Sequence, residues 1–225
     1  MLRLNPNSSN LFKNSIVINS ENVRVDRIEP SRELVYATYN LVNEDENFYS
    51  VNAQIPLLNV NTDVAKKINA EIKEEYYDKA NAIMRKMDGY TVYNVSYASF
   101  VNQDILSIVI KASLKEQNKA EKVTVRTYTY SISEQREVLL QDLIKLKGVE
   151  ESDIQKTIRD DIQTAYTNAK LIADEYGSLY ERDVNGDLYK IENSNTYFLT
   201  QDGYVYVVYA YGNNDYTNEM DIVIF

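Results

Sequence analysis

Residues 90–132, YTVYNVSYASFVNQDILSIVIKASLKEQNKAEKVTVRTYTYSI, decide the fold. In the last third, Val123, Val125, Thr127 and Thr129 alternate with Thr124, Arg126, Tyr128 and Tyr130. A period of two in β-branched and aromatic residues marks strands of an antiparallel sheet with one covered face. Polar breaks at 102–104 and 115–121 divide the stretch into strands at 90–101, 105–114 and 122–132, a three-stranded meander.

Upstream, in residues 61–87, the period changes. Val64, Ile68, Ile72, Tyr76, Ala80, Ile83 and Met87 recur every three or four residues, which lays one apolar stripe along a helix. Asn61 or Thr62 caps it, Asp63 suits its positive end, and Asp88-Gly89 stops it. Earlier β-type runs occupy 15–28, 34–42 and 48–55, with a polar turn at 43–47, after an Asn- and Ser-rich start at 1–15.

Downstream, 137–145 reads as a short apolar helical turn and 152–176 as a second long helix. Ser152 and Gln155 match a capping box, and Ile154, Ile158, Ile162, Ala165, Ala169 and Ile172 form the buried stripe. Gly177 stands where a left-handed C-cap is expected. The chain returns to strands at 179–184, 187–191, 197–200, 204–211 and 220–225, with Asn185-Gly186 and Asp202-Gly203 as two-residue hairpin turns.

The fold class is therefore α+β: two long helices packed on antiparallel sheet or sheets, with the helix-then-meander plan occurring twice. Residues 1–44 read as a leader and stalk-proximal segment with N-terminal strands. Residues 45–132 and 133–225 read as two helix-plus-meander halves of one compact unit.

Composition narrows the chemistry. With 225 residues and 44% hydrophobic content the chain is long and apolar enough for a full core. It has no His and no Cys, which removes imidazole bases, thiolate nucleophiles, disulfides and Cys/His zinc sites. A net charge of -10 repels phosphate backbones, so nucleic acid is not an expected partner, while a basic protein is drawn in. No run approaches the ~20 apolar residues of a membrane span. The first ten residues, MLRLNPNSSN, lack a signal-peptide pattern, so a membrane link would need an anchor outside this sequence.

Asp183, Asn185 and Asp187 have the spacing of the first ligands of a calcium loop, the one candidate metal set. Leu188 stands where that loop needs Gly, however, and Ser194 where it needs a bidentate Glu. The carboxylate pairs Glu74-Glu75, Glu150-Glu151 and Asp160-Asp161 lie on or beside helices, where neighbours point apart. On a strand Ser107 and Lys111 are ~13 Å apart, too far for a nucleophile and its base. No catalytic residue and no cofactor is expected. The suggestive feature is the tyrosine-rich end: Tyr204, Tyr206, Tyr209, Tyr211 and Tyr216, interrupted by Asn213-Asn214-Asp215. A long polar loop rich in Tyr, Asn and Asp suits recognition, and Tyr211, Asn213, Asn214, Asp215 and Tyr216 are the expected partner-binding residues.

Several short motifs, in order, resemble the extracytoplasmic domain family of the anti-sigma-V factor RsiV, a module that also accompanies the peptidoglycan deacetylase PdaC. Ile55-Pro56 is followed by Ile68-Asn69-Ala70-Glu71-Ile72, then by Leu106-Ser107-Ile108 and by Leu140-Gln141-Asp142-Leu143. The end, Tyr197-Phe198-Leu199-Thr200-Gln201-Asp202-Gly203 and the aromatic residues 211–225, completes the similarity, which covers residues 45–225. Asn213-Asn214-Asp215 stands where members carry Ile-Ala-Pro, and Glu219 where they carry Gly. The resemblance implies an extracytoplasmic, cell-surface sensor, membrane-anchored outside this sequence, that binds lysozyme and so exposes a stalk before residue 45 to proteolysis, releasing a sigma factor. The alternative reading is a non-catalytic accessory or surface module that binds cell-wall peptidoglycan glycan. A carboxylate hydrolase is the third reading.

Overall fold

A computed structural model describes residues 25–176, 181–210 and 219–225. The architecture is mixed α+β, with one six-stranded and one three-stranded sheet. Strands β1 (Val35–Asp45) and β2 (Tyr49–Leu58) form an antiparallel hairpin across the boundary expected near residue 44. The strand expected at 15–28 does not form over 25–28, and its remainder lies outside the described residues. Just after it, the chain is held by Asn59, a fully buried amide. Its Oδ1 accepts from Glu29 N (2.8 Å), and its Nδ2 donates to Glu29 O (2.8 Å) and Glu33 O (2.9 Å). Residues 28–33 therefore wrap around one side chain in bends and turns.

The helix expected at 61–87 starts with Thr62 as N-cap, its Oγ1 accepting from Ala65 N at 3.2 Å. It is not one regular α-helix. Helix α1 (Asp63–Ile72) passes through a π-helical stretch, Lys73–Asp78, into α2 (Lys79–Met84). The buried residues Ile68, Ile72, Tyr76 and Ala80 follow at three successive steps of four. An α-helix turns in 3.6 residues, so three such steps drift about 120° around the axis. A locally wider turn absorbs the drift and keeps all four side chains on the sheet.

This helical run carries the chain back to the end of the sheet where β2 began, so β3 (Thr91–Asn102) pairs parallel to β2. The sheet is thus mixed, not wholly antiparallel as expected. Strands β4 (Ile105–Glu116), β5 (Lys122–Ser131) and β6 (Arg136–Glu137) complete it antiparallel, in the order β1-β2-β3-β4-β5-β6.

Helices α3 (Leu140–Leu146) and α4 (Glu151–Tyr176) follow, then the small antiparallel sheet of β7 (Tyr197–Leu199), β8 (Val205–Ala210) and β9 (Met220–Ile224). The expected Ser152–Gln155 capping box is replaced. The Glu150 carbonyl accepts from Ile154 N, while both ends of the Gln155 amide bind elsewhere, to Tyr189 O (2.9 Å) and Ile191 N (3.0 Å). That grip is also why 187–191 is not a strand: two 3-10 turns, Asp187–Tyr189 and Ile191–Asn193, stand there. The described part of 179–184 is likewise not strand, so Asn185-Gly186 turns without a hairpin. Asp202-Gly203 does close a hairpin, through three residues, with Thr200 N donating to Tyr204 O and Gly203 at φ +84°. Gly177 lies outside the described residues.

Three apolar clusters order the layers. The first joins α1, the π-helical stretch and α2 to one face of the large sheet. The second joins α3, α4 and the 3-10 turns to one face of the small sheet. The third lies between the sheets, where Phe100, Phe198 and Tyr206 stack with centroids 5.6 and 4.9 Å apart. The order is helix, sheet, sheet, helix. Residues 106–110 of β4 are consequently buried on both faces. Among the described residues, no helix is long and apolar enough to cross a membrane.

The seam between the sheets has a polar spine. Ser107 Oγ accepts from Leu199 N (3.1 Å) and Thr127 Oγ1 from Tyr197 N (2.9 Å), while Thr129 Oγ1 donates to Tyr197 O (3.3 Å). The main chain of edge strand β7 is thereby satisfied by side chains of the other sheet. Under the π-helical stretch, by contrast, the hydroxyls of Tyr76 and Tyr93, each residue 1% exposed, have no hydrogen-bond partner among the described residues.

Two expectations follow, both readable by urea unfolding. Ser107→Ala strands the buried Leu199 N–H and lowers stability by about 1–3 kcal/mol, whereas Tyr76→Phe removes an unpaired hydroxyl and leaves stability equal or higher. In alkali, burial above all pushes the Tyr197 hydroxyl up to about 12, and it also raises those of Tyr76, Tyr93 and Tyr128. The unfolded chain sheds these protons near the ordinary value of ~10 while the folded chain keeps them. Their contribution is therefore full below pH ~10; that of Tyr197 is lost by about 12, those of the other three go on declining above it, and Tyr93→Phe makes the decline shallower.

Candidate functional site

The tyrosine-rich end is built on the small sheet. The pair Ala210↔Met220 closes the β8–β9 ladder, so residues 211–219 join two neighbouring strands. The expected partner-binding residues Tyr211, Asn213, Asn214, Asp215 and Tyr216 all lie outside the described residues. The three tyrosines before them divide. Tyr209 is buried, with its hydroxyl 3.1 Å from Ser194 Oγ and its ring edge-on to Tyr189. Tyr206 stacks half-buried on Phe198, and only Tyr204 is exposed. Alternation along a strand makes these roles unavoidable, since Tyr209 shares the face of Val205 and Val207 toward α4.

At the foot of that connection lies a group that nothing in the sequence pattern singles out. The Arg182 side chain is 0% exposed and the Asp221 side chain 3%. Arg182 Nε donates to Asp221 Oδ2 at 2.5 Å and its Nη2 to Asp221 Oδ1 at 3.1 Å, a two-pronged pair. The same Nη2 reaches Glu219 Oε2 at 3.0 Å, and the guanidinium lies 5.9 Å from the Tyr166 ring of α4. Arg182 lies beyond α4 in sequence, while Glu219 and Asp221 stand at the start of β9, so the cluster ties the segment after α4 to the start of β9. Removing one member of a buried ion pair such as Arg182–Asp221 leaves its partner's charge in a desolvated place.

The remaining candidates are occupied in other ways. Asp183 Oδ1 accepts from Asn185 N at 3.2 Å, an Asx turn, and Asn185 is exposed. Asp187 Oδ1 lies 2.6 Å from Lys190 Nζ, which holds its carboxyl below the usual range. Among the described residues, no three Asp or Glu side chains converge as a metal-holding group. Ser107 is fully buried in the seam, Glu75 pairs with Arg126 at 3.2 Å, and burial beside Asp160 raises Asp161. A shallow hollow of about 340 Å³, lined by Tyr77, Asp78, Asn81, Ala82 and Arg85, sits on the helix side of the large sheet, away from the small sheet.

Arg182→Met should lower stability by about 3–5 kcal/mol in chemical unfolding, because it leaves Asp221 buried without its cation. Adding Asp221→Leu should return part of that loss, since the pair is then removed together.

No family model matches the chain, and no curated protein matches it. Among solved structures it is similar to a DUF3298 family protein from Pseudomonas aeruginosa PAO1, at 10% identity over 80% of this chain and 83% of that one, with a TM-score of 0.48. It is also similar to a member of the DUF3298 family from Bacteroides fragilis NCTC 9343, at 13% identity over 79% and 80%, with a TM-score of 0.41. Its structural neighbours are thus DUF3298 family proteins.

Proposed function

We propose that this chain is a non-enzymatic binding domain that offers residues 211–218 to a basic protein, and that it serves as the extracytoplasmic sensor of an anti-sigma-factor-like protein whose ligand is lysozyme. The observation that carries the reading is the Arg182–Asp221–Glu219 cluster. The cluster holds Glu219 and Asp221, just after residue 218, to the segment that follows α4, at considerable desolvation cost. Anchored ends reduce the ordering entropy that a recognition loop loses on binding. Residues 211–218 include Tyr211, Asp215 and Tyr216, types that supply contact area and a counter-charge. The chain's net charge of -10 adds long-range attraction toward a basic partner. The motif resemblance to the RsiV extracytoplasmic family points to the same partner and to an anchored, cell-surface setting. Release of a sigma factor by proteolysis upstream of residue 45 belongs to this proposal.

Calorimetric titration with lysozyme at low ionic strength tests it. Binding at micromolar Kd or tighter is expected, weakening as salt rises. Tyr216→Ala and Asp215→Ala should each cost at least about tenfold, roughly 1.4 kcal/mol. Absence of heat with every lysozyme tried at low salt sinks the reading.

A further inference from the structure

Strand β1 is the outermost strand of the large sheet, and among the described residues no strand pairs with its free side. Proteins ordinarily blunt such an edge with charge, with Pro or by keeping it short. The open part of β5 follows that rule, since Lys122 and Arg126 stand exposed on it. Strand β1 does not. It runs for 11 residues, and residues 35–43 contain no charged residue, Pro or Gly. Its one irregularity is a register shift between Ala37 and Tyr39, and Val42 is 77% exposed. Charge begins only at Glu44.

On the helix side, the shallow hollow borders this edge. The Tyr39 ring of β1 stacks on Tyr77 with centroids 3.9 Å apart, and Tyr77 lines the hollow together with Asp78, Asn81, Ala82 and Arg85. Tyr77, Asn81 and Arg85 follow at steps of four along one flank of the helical run. The opposite flank meets β5 through Glu75 and Arg126. The two charged lining residues are of opposite sign, and Asp78 is already paired with Lys73 at 2.8 Å. A strand laid beside β1 would set alternate side chains against this flank, so edge and hollow together suit the addition of one strand.

We infer that the open edge of β1 is a strand-docking site whose occupant is residues 16–24 of the same chain, laid antiparallel to β1. The path of the chain selects that occupant. Asp26 O accepts from Asn61 N at 2.8 Å and Leu34 O from Asn59 N at 2.7 Å, so the segment before β1 enters and leaves at the same end of the sheet. Val25 packs half-buried against the first core cluster there. The chain that leads into Val25 thus stands at the foot of β1, and residues 16–24 match residues 35–43 in number. They include Ile16, Val17 and Ile18, residue types that favour strands, so either Ile16 and Ile18 or Val17 turns toward the hollow. A tethered segment also outcompetes a free peptide, which has to lose translational and rotational freedom on binding. A second copy of the chain is disfavoured by the net charge of -10 that both copies carry.

The test is residue-resolved hydrogen exchange on the 15N-labelled full chain. Along an edge strand every second amide points away from its only neighbour and exchanges freely. With residues 16–24 in place, all amides from Tyr39 to Asn43 should exchange at least about 100-fold more slowly than in an unstructured peptide. The double variant Val17→Pro/Asn22→Pro removes one donor of each strand parity, so one of the two lost N–H groups faces β1 in either register. In that variant the outward amides should speed up to within about tenfold of the free-peptide rate, while those bonded to β2 stay protected and report an intact sheet. Cross-strand NOEs between residues 16–24 and 39–43 should be present in the parent chain and absent from the variant. Free exchange of alternate amides in the parent chain, or protection that survives both prolines, would overturn the proposal. So would protection that grows with protein concentration alongside a dimer in sedimentation, which would make a second copy the occupant.

Discussion

Three hydroxyls, those of Ser107, Thr127 and Thr129, hold the two halves of the molecule in one arrangement. Strand β7 is the edge of a small sheet, and a buried edge with unpaired main-chain groups is costly. The large sheet places hydroxyls where those groups emerge, within an otherwise apolar seam. Apolar contact alone tolerates sliding, but a one-residue shift would leave β7 facing methyl groups and aromatic rings. The polar spine therefore sets how the small sheet sits. With it are set the position of α4 and the place where Arg182 meets Asp221.

The motifs that resemble the RsiV-type domain are part of this same internal economy of bonds. Asn69 clasps the main chain of Leu58 from both sides, its Oδ1 accepting at 2.8 Å and its Nδ2 donating at 2.9 Å. Ser107 belongs to the seam. Asp142 caps α3 by accepting from Leu139 N at 3.0 Å while it also binds Arg136 at 2.7 Å, which holds its carboxyl below the usual range. Asp202-Gly203 closes the hairpin between β7 and β8. Each motif thus has a scaffold role, and the resemblance they carry speaks first to the fold. What distinguishes a sensor from an accessory module must come from surfaces, where motifs of this kind are silent.

Most strands were legible because their signal is local. The observed β3, β4 and β5 begin and end within two residues of the breaks read from polar turns. What the pattern could not convey was partnership. Parallel pairing of β2 with β3 depends on the length and path of the helical run between them. The 3-10 turns at 187–193 depend on Gln155, more than thirty residues earlier in the chain. The π-helical stretch did have a signature, the three consecutive four-residue steps from Ile68 to Ala80, which is too long a period for a regular α-helix. Arg182 had none, since an arginine among Glu181 and Asp183 reads as a surface residue until Asp221 arrives from the far end of the chain. The candidate loop was legible as a polar, aromatic connection between strands, and the pairing of Ala210 with Met220 agrees with that much.

The double burial of β4 has a kinetic corollary. A strand whose hydrogen bonds run to β3 on one side and β5 on the other, with apolar layers above and below, exposes its amides only when both layers have parted. The outer helical layers meet no such condition, because each leans on a different sheet. The molecule should therefore loosen from its two outsides independently, with deuterium reaching the middle of β4 last of all.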